Sequence, residues 1–426
     1  MIILLTGASG FIGSRICKAL LEAGHHVVCA MRHPPESPAP GQPVRYFTAD
    51  FERDVEVADW LPRLAGVDAV VNAAGILRET PGQRFETLHV RGPCALFAAC
   101  AAAGVSRVVQ ISALGADEAA TTGYHLSKKA ADDYLLGLPL HSVAVVQPSL
   151  VYGPGGTSAR LFTTLASLPL IPLPAGGRQQ VQPIHVDDAV RAIVALVENP
   201  ELRGKIPLVG PKPLALRDFL AAVRQGLGLG RARFVSIPAS WVGLAARVGG
   251  RLPGALLDRD TWSMLQRGNT ADAHLTQALL GREARGAEKF VDPAEVPTTR
   301  TAAKLAWLLP MLRVSVALVW IVTGIVSLGL YPVQDSYALL AGAGVPPSLQ
   351  PLMLYGAAAF DLVLGVATLA LPRRRWLWRA QIGLILFYTV VITFKLPEFW
   401  LHPYGPILKN LPMLAVIWLL LEMEDR

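Results

Sequence analysis

The stretch that most limits what this chain can fold into is Thr6 to Gly13, Thr-Gly-Ala-Ser-Gly-Phe-Ile-Gly, set directly after the apolar run Ile2-Ile3-Leu4-Leu5. A short β-rich run, glycines at every third position and an amphipathic stretch over Phe11 to Leu21 predict a strand, a tight turn and a helix start. Such a turn is a phosphate cradle. Gly7 lets the chain reverse, Gly10 lets backbone N–H groups approach a pyrophosphate, and Gly13 lets the helix lie near the strand with its positive end toward the anion. Thr6, Gly7, Ser9, Gly10, Phe11, Ile12 and Gly13 are therefore expected to hold a dinucleotide.

The following segments extend this reading. His25 to Met31 predicts a second strand, and the residue at its end selects the cofactor. An acid there suits a free ribose hydroxyl and an arginine suits a 2′-phosphate, so Arg32 favours NADP(H) over NAD(H). A Pro-rich loop (His33 to Pro43) leads to a third strand, Val44 to Ala49, ending at Asp50 and Phe51. A helix over Val55 to Leu64 precedes a fourth strand, Asp68 to Gly75. Its small exit residues Asn72, Ala73, Ala74 and Gly75 let a cofactor pass close over the backbone. A long Ala-rich helix is expected over Gln83 to Ala103, with His89 as a partly buried helix histidine. Strands and helices alternate through residues 1–210, which predicts an α/β, doubly wound parallel sheet.

Chemistry enters at the next strand, Val105 to Ile111, which delivers Ser112 to the same sheet edge as the glycine turn. Tyr124 and Lys128 follow on a helix, four residues apart and so on one face. A free tyrosine, with a pKa near 10, exchanges protons poorly at neutral pH. The Lys128 ammonium is expected to stabilise its phenolate. Ser112 would hold a substrate oxygen, Tyr124 would exchange its proton, and Tyr124 and Lys128 would also touch the cofactor. Further on, Asp187 is expected to cap the helix that follows it.

These residues resemble the extended short-chain dehydrogenase/reductases, the NAD-dependent epimerase/dehydratase-like group with Thr-Gly-x-x-Gly-x-x-Gly at the N-terminus. Asn72 to Gly75 match the family's Asn-Ala-Ala-Gly. The resemblance implies a Rossmann-like fold, an adenine contact from Asp50, and Ser112, Tyr124 and Lys128 as the catalytic trio. Two positions depart from the pattern: His89 stands where many relatives have asparagine, and Gln147 replaces an arginine before Pro148. The helical region 211–283 would cover the substrate, and Asp260 to Asn269 resembles the branch that contains the NAD(P)-binding accessory subunit of respiratory NADH:quinone oxidoreductase. Sugar-nucleotide epimerisation is disfavoured, since nothing reads as a nucleoside-diphosphate clamp.

The composition is 52% hydrophobic, and the excess sits in the last ~120 residues. After an aperiodic linker over 284–304, four apolar stretches follow: Leu305 to Leu330, Leu352 to Leu371, Trp376 to Leu396 and Ile407 to Leu421. Four spans of an all-α transmembrane domain over 305–426 are expected, although the fourth is marginal in length. Their number, and a polar residue inside the second span, resemble the DoxX-like membrane family. Arg373 to Arg379 is basic, whereas Tyr331 to Gln350 holds one acid and no base. The N-terminal domain and the C-terminus are thus expected in the cytoplasm, on a multi-pass protein of the inner (cytoplasmic) membrane. Asp361 lies mid-span and should face protein or a polar cavity, with Arg313 as a possible partner.

The net charge of +7 does not signal nucleic acid, because the arginines lie beside apolar segments without interleaved aromatics. The four cysteines read as buried small apolar residues, no metal site is expected, and the apolar N-terminus reads as a strand and not a secretory leader. The function expected is a membrane-anchored oxidoreductase acting on a carbonyl or hydroxyl group, with a lipophilic or quinone-like substrate and membrane lipid as partners. The alternative is a cofactor-bound scaffold or redox sensor that assists a membrane complex without turnover.

Overall fold

The computed structural model describes residues 1–35, 43–249 and 258–424; most of the expected Pro-rich loop, and the first residue of a helix expected over Leu257 to Arg267, lie outside them. The chain divides into two compact units, Met1–Ala303 and Lys304–Arg426.

The first unit is built on seven parallel strands: β1 (Ile2–Thr6), β2 (His26–Met31), β3 (Val44–Thr48), β4 (Ala69–Asn72), β5 (Arg107–Ile111), β6 (Ser142–Pro148) and β7 (Gly204–Leu208). Their order is β3-β2-β1-β4-β5-β6-β7. Every residue of β4, β5 and β6 is buried, as parallel strands covered on both faces must be. Side chains alternate between the faces. Ile3, Leu5, Val71 and Val109 meet Ile16 and Leu20 of α1 (Gly13–Glu22). Leu4, Val70 and Val108 meet Leu96 and Phe97 of α2 (Gly92–Ala103) and Leu135 of α3 (Gly123–Leu136). Each fully buried leucine or isoleucine contributes roughly 1.5–3 kcal/mol. The chain leaves β1 in one direction for β2 and β3, then returns to β4 on its other side. A crevice therefore opens at the C-terminal ends of β1 and β4.

Three expectations change. The helix expected over Gln83 to Ala103 is a π-helical turn, Glu86–Arg91, running into α2. Pro93 has no N–H to give the carbonyl four residues back at His89, so the hydrogen-bond register widens there. Asp187 does not cap α4 (Val186–Glu198); the cap is His185, whose ring nitrogen accepts from the Asp187 N–H at 3.3 Å. The segment 284–304 is not a loose linker. Ala284, Ala287, Phe290 and Val291 are buried, and a helix begins at Val296. Of the cysteines, Cys29 and Cys100 are buried while Cys17 and Cys94 are half-buried.

What ties the start of that segment down is Asp188, which is completely buried. Its carboxylate accepts from Arg282 at 2.6 Å and from the Arg285 N–H at 2.9 Å. Burial pushes the Asp188 carboxyl up, but the Arg285 amide and the two guanidinium groups outweigh it and hold the group below its ordinary value. A carboxylate held low in the fold stabilises it above the unfolded pKa near 3.9, and that contribution is lost as pH falls through the lower folded value. Asp188→Asn is therefore expected to cost roughly 3 kcal/mol at pH 7 and much less under strong acid, read from urea unfolding at both pH values. An equal cost at both would refute this reading.

The second unit packs one apolar core from four helices: α5 (Val296–Ile325, which begins in the first unit), α6 (Gln350–Ala370), α7 (Arg375–Lys395) and α8 (Asn410–Met423). Among the described residues, three helices are long and apolar enough to cross a membrane: Pro293–Leu330, Gln350–Ala370 and Arg375–Lys395. The fourth expected span is a helix of only 14 residues. The region expected as a connecting loop carries a further helix, Val333–Gly342. Asp361 is 7% exposed and faces the interior, but no ion pair joins it to Arg313, whose charged neighbours are Arg374 and Glu424. Glu424 also accepts from Arg374 at 3.0 Å, which joins the basic loop to the C-terminal helix end.

Candidate active site

At the crevice between β1 and β4, the turn adopts the geometry its glycines allow. Gly7 has φ +69°, and a Cβ there would lie 2.6 Å from the Ala73 carbonyl. A Cβ on Gly13 would lie 2.1 Å from the Gly7 oxygen, so only hydrogen lets α1 begin so close to the turn. The resulting cleft of about 200 Å³ is lined from the predicted set by Thr6, Gly7, Ser9, Gly10, Arg32, Asp50, Phe51, Ala73, Ala74 and Gly75. Arg32 stands at its rim, and Gln83, also on the rim, can accept from Arg32 Nη1 at 2.6 Å. Phe51 is held against Gly92, where a Cβ would come within 2.7 Å of the ring. At Gly75 an added Cβ would lie 3.0 Å from Lys128 Nζ, so that wall of the cleft is open only because the residue is glycine. Open backbone and a terminal cation suit a dinucleotide of the NAD(P) type.

The other predicted cofactor residues lie off the cleft lining. Asn72 is fully buried; it accepts from Thr6 Oγ1 at 2.5 Å and donates to Gln110 Oε1 at 2.7 Å. It satisfies polar groups across β1, β4 and β5. Phe11 packs toward Gly156 and carries Arg15 over its ring, and Ile12 is the residue that starts α1. Gly13 acts through packing alone.

Of the predicted trio, Lys128 borders this cleft at Gly75, Ser112 directly follows the Ile111 carbonyl that Lys128 binds, and Tyr124 lies one helical turn before Lys128 beside His89. Lys128 is 4% exposed, and its Nζ donates to the carbonyls of Ile111 at 3.0 Å and Ala74 at 3.4 Å, which ties α3 to the ends of β5 and β4. Two features were not read from the sequence. The Ser112 hydroxyl donates to Asp132, a fully buried carboxylate one turn beyond Lys128. Only the oxygen lone pairs of Ser112 remain for a ligand. Second, burial and then the Asp132 charge push the Tyr124 phenol up to about 12, so the expected phenolate stabilisation by Lys128 does not prevail. Burial pulls Lys128 down to about 8 against Asp132, and pushes Asp132 up to about 6 against the Ser112 bond and Lys128. At neutral pH the Tyr124 phenol is thus protonated. The sequence signal for Asp132 was its spacing, four residues past Lys128 on the same helix face.

His89 has a wiring role. Its Nε2 accepts from the Ile76 N–H at 3.0 Å, so Nδ1 carries the proton and donates to Ser127 Oγ at 2.9 Å. Burial and the Lys128 charge lower its pKa to about 2, so it stays neutral and braces the Tyr124 ring, 5.7 Å away. Gln147 donates to the Ala116 carbonyl at 3.2 Å. From the helical region, Arg267 donates to the Gly115 carbonyl at 2.8 Å and pairs with Asp117, beside His125.

Comparison with known proteins agrees with this architecture. Residues 3–210 match the family model described as NAD dependent epimerase/dehydratase family, and residues 317–418 match the DoxX-like family. The chain is similar to a ceramide reductase of Caulobacter vibrioides, 31% identical over 208 residues, 47% of this chain and 62% of that protein. It thus spans less than two thirds of that relative's length. It is also similar to NADH dehydrogenase [ubiquinone] 1 alpha subcomplex subunit 9, mitochondrial, of Arabidopsis thaliana, 26% identical over 248 residues, 54% of this chain and 59% of that one. Among solved structures, MoeE5 in complex with UDP-glucuronic acid and NAD aligns with a TM-score of 0.51 and 23% identity, over 72% of this chain and all of that one, a likeness of fold alone. With its seven-stranded parallel sheet, its glycine turn and residues 3–210 matched, the chain belongs to the NAD dependent epimerase/dehydratase family, with a DoxX-like helical segment following.

Proposed function

We propose that this protein is a membrane-anchored, NADP(H)-preferring reductase of a lipophilic carbonyl compound. The observation that carries the reading is Tyr124, kept protonated by burial and by Asp132, one helical turn from a Lys128 that reaches the cleft wall at Ala74. A nicotinamide cofactor held over Gly7, Gly10 and Ala73 to Gly75 would supply hydride for the carbonyl carbon. Tyr124 gives its proton to the carbonyl oxygen, Lys128 steadies the charge left on the phenol, and Ser112, its own proton committed to Asp132, orders the oxygens around it. The three long apolar helices and the ceramide reductase likeness favour a lipid-like substrate entering from a bilayer. The basic loop and the C-terminal helix end, joined through Glu424, favour a multi-pass placement in the inner membrane with both termini in the cytoplasm.

The preference for NADP(H) rests on Arg32 at the cleft rim. The full chain in detergent, supplied with long-chain ketones, is expected to oxidise NADPH, seen as loss of nicotinamide absorbance. Arg32→Glu is expected to raise KM for NADPH by roughly 10–100-fold while leaving NADH no worse, the loss of a charge-assisted phosphate contact. Equal effects on both coenzymes would remove Arg32 from the cofactor site. A second reading, a cofactor-bound scaffold without turnover, is favoured by the Ser112 hydroxyl being tied to Asp132 and by the likeness to a respiratory complex subunit. Tight retention of NADPH with no oxidation across the substrate panel would support that reading over the reductase.

A further inference from the structure

Five side-chain atoms of the second unit are buried without a hydrogen-bond partner among the described residues; Arg313 Nε and Arg374 Nε belong to guanidinium groups whose charges reach Glu424, which leaves Asp361 Oδ1, Trp320 Nε1 and Gln381 Oε1. Their residues are 7%, 5% and 0% exposed. Helices α5 and α6 are in backbone contact around two of them. A Cβ on Gly324 would lie 2.8 Å from the Ala358 oxygen, and one on Gly365 would lie 3.0 Å from the Ala317 oxygen, so Trp320 and Asp361 both fall within this contact. On the other side, Gln381 of α7 donates to Thr368 of α6 at 2.8 Å. Seven residues along each antiparallel helix from that bond, about 10 Å, come Asp361 and Tyr388, which are within electrostatic reach of each other.

A buried polar atom left unpaired costs roughly 1–3 kcal/mol, and a mid-helix carboxylate in an apolar unit is costlier still. Three such atoms from three helices have a chemical signature. Two are oxygens that need donors, and the third is an indole N–H that needs an acceptor. A metal ion or ammonium group would satisfy the oxygens and leave Trp320 unmet. A hydroxyl group serves both kinds at once.

We propose that the interior of this helical unit binds the hydroxyl-bearing head of an uncharged lipid, held by Asp361 and Trp320, with Gln381 meeting a second donor further along the molecule. The site rests on the membrane placement argued above and is independent of the reductase chemistry.

The test is photolabelling of the full chain, reconstituted in phosphatidylcholine vesicles, with a long-chain alcohol carrying a diazirine near its hydroxyl end. The same chain capped as a methyl ether is the control. Outward residues such as Phe360, Val363 and Phe387, 47–61% exposed, should take label from either probe as bilayer neighbours. Peptides holding Trp320, Asp361 and Tyr388 should take the alcohol at least tenfold over the ether. Asp361→Leu should abolish that excess while melting no lower, because an unpaired buried carboxylate is removed, and Asp361→Asn should keep part of it. Outward labelling with equal inward labelling by both probes would overturn the site and leave the membrane placement standing. No outward labelling at all would overturn both. Should Asp361→Leu fail to fold, the alcohol-to-ether ratio on the native chain decides.

Discussion

Tyr124→Phe is expected to lower kcat for ketone reduction by about 10²–10⁴-fold, the usual range for loss of a positioned proton donor. Removing the hydroxyl leaves the ring, and with it the contacts to Phe85, His89 and His125. The fold and dinucleotide affinity should change little, so the loss should fall on kcat rather than on cofactor binding. In the native enzyme the rate should fall as pH rises through about 8, where Lys128 gives up the charge that steadies the phenolate. Steady-state kinetics across pH, with cofactor affinity read separately by fluorescence, measure both effects. Turnover unchanged by the substitution would end the case for Tyr124 as the acid.

The second large effect is expected at Gly13→Ala. The new methyl would lie 2.1 Å from the Gly7 oxygen, well inside an ordinary contact. Helix α1 must then retreat by roughly 1 Å, which costs about 1–3 kcal/mol. It also carries the helix N-terminus and the glycine turn away from the phosphates. A displacement of that size can cost on the order of 100-fold in a site that works by placement. Gly24→Ala is the control. Its φ of +81° strains an alanine, but nothing lies within 4 Å of the added carbon. It should lose a comparable amount of stability and keep its affinity for NADPH, whereas Gly13→Ala should lose both. If Gly13→Ala binds NADPH as tightly as the native chain, the turn does not cradle phosphate.

Both effects were legible before any coordinates, because they depend on residues close together in the chain. Gly7, Gly10 and Gly13 form one turn, and Tyr124 and Lys128 share one helix face through fixed helical spacing. The alternation of apolar strands and amphipathic helices likewise reports its own sheet. Asn72 shows where this stops. Its place in a small-residue exit suggested a ligand contact, but its amide is spent on Thr6 and Gln110, 66 and 38 residues away. The segment 284–304 is aperiodic and reads as a linker, yet Asp188, nearly a hundred residues earlier, holds its start through Arg285 and the neighbouring Arg282.

The sequence by itself determined the sheet, the turn, the helix phase of Tyr124 and Lys128 and the apolar helices, since each follows from spacing within about twenty residues. Only the tertiary structure decided the protonation of the site. Asp132 accepts from Ser112, and the balance of burial and charge keeps the Tyr124 phenol protonated where spacing alone suggested a phenolate. Desolvation and Coulomb energy depend on what surrounds a group in space, and no local pattern of residues encodes that.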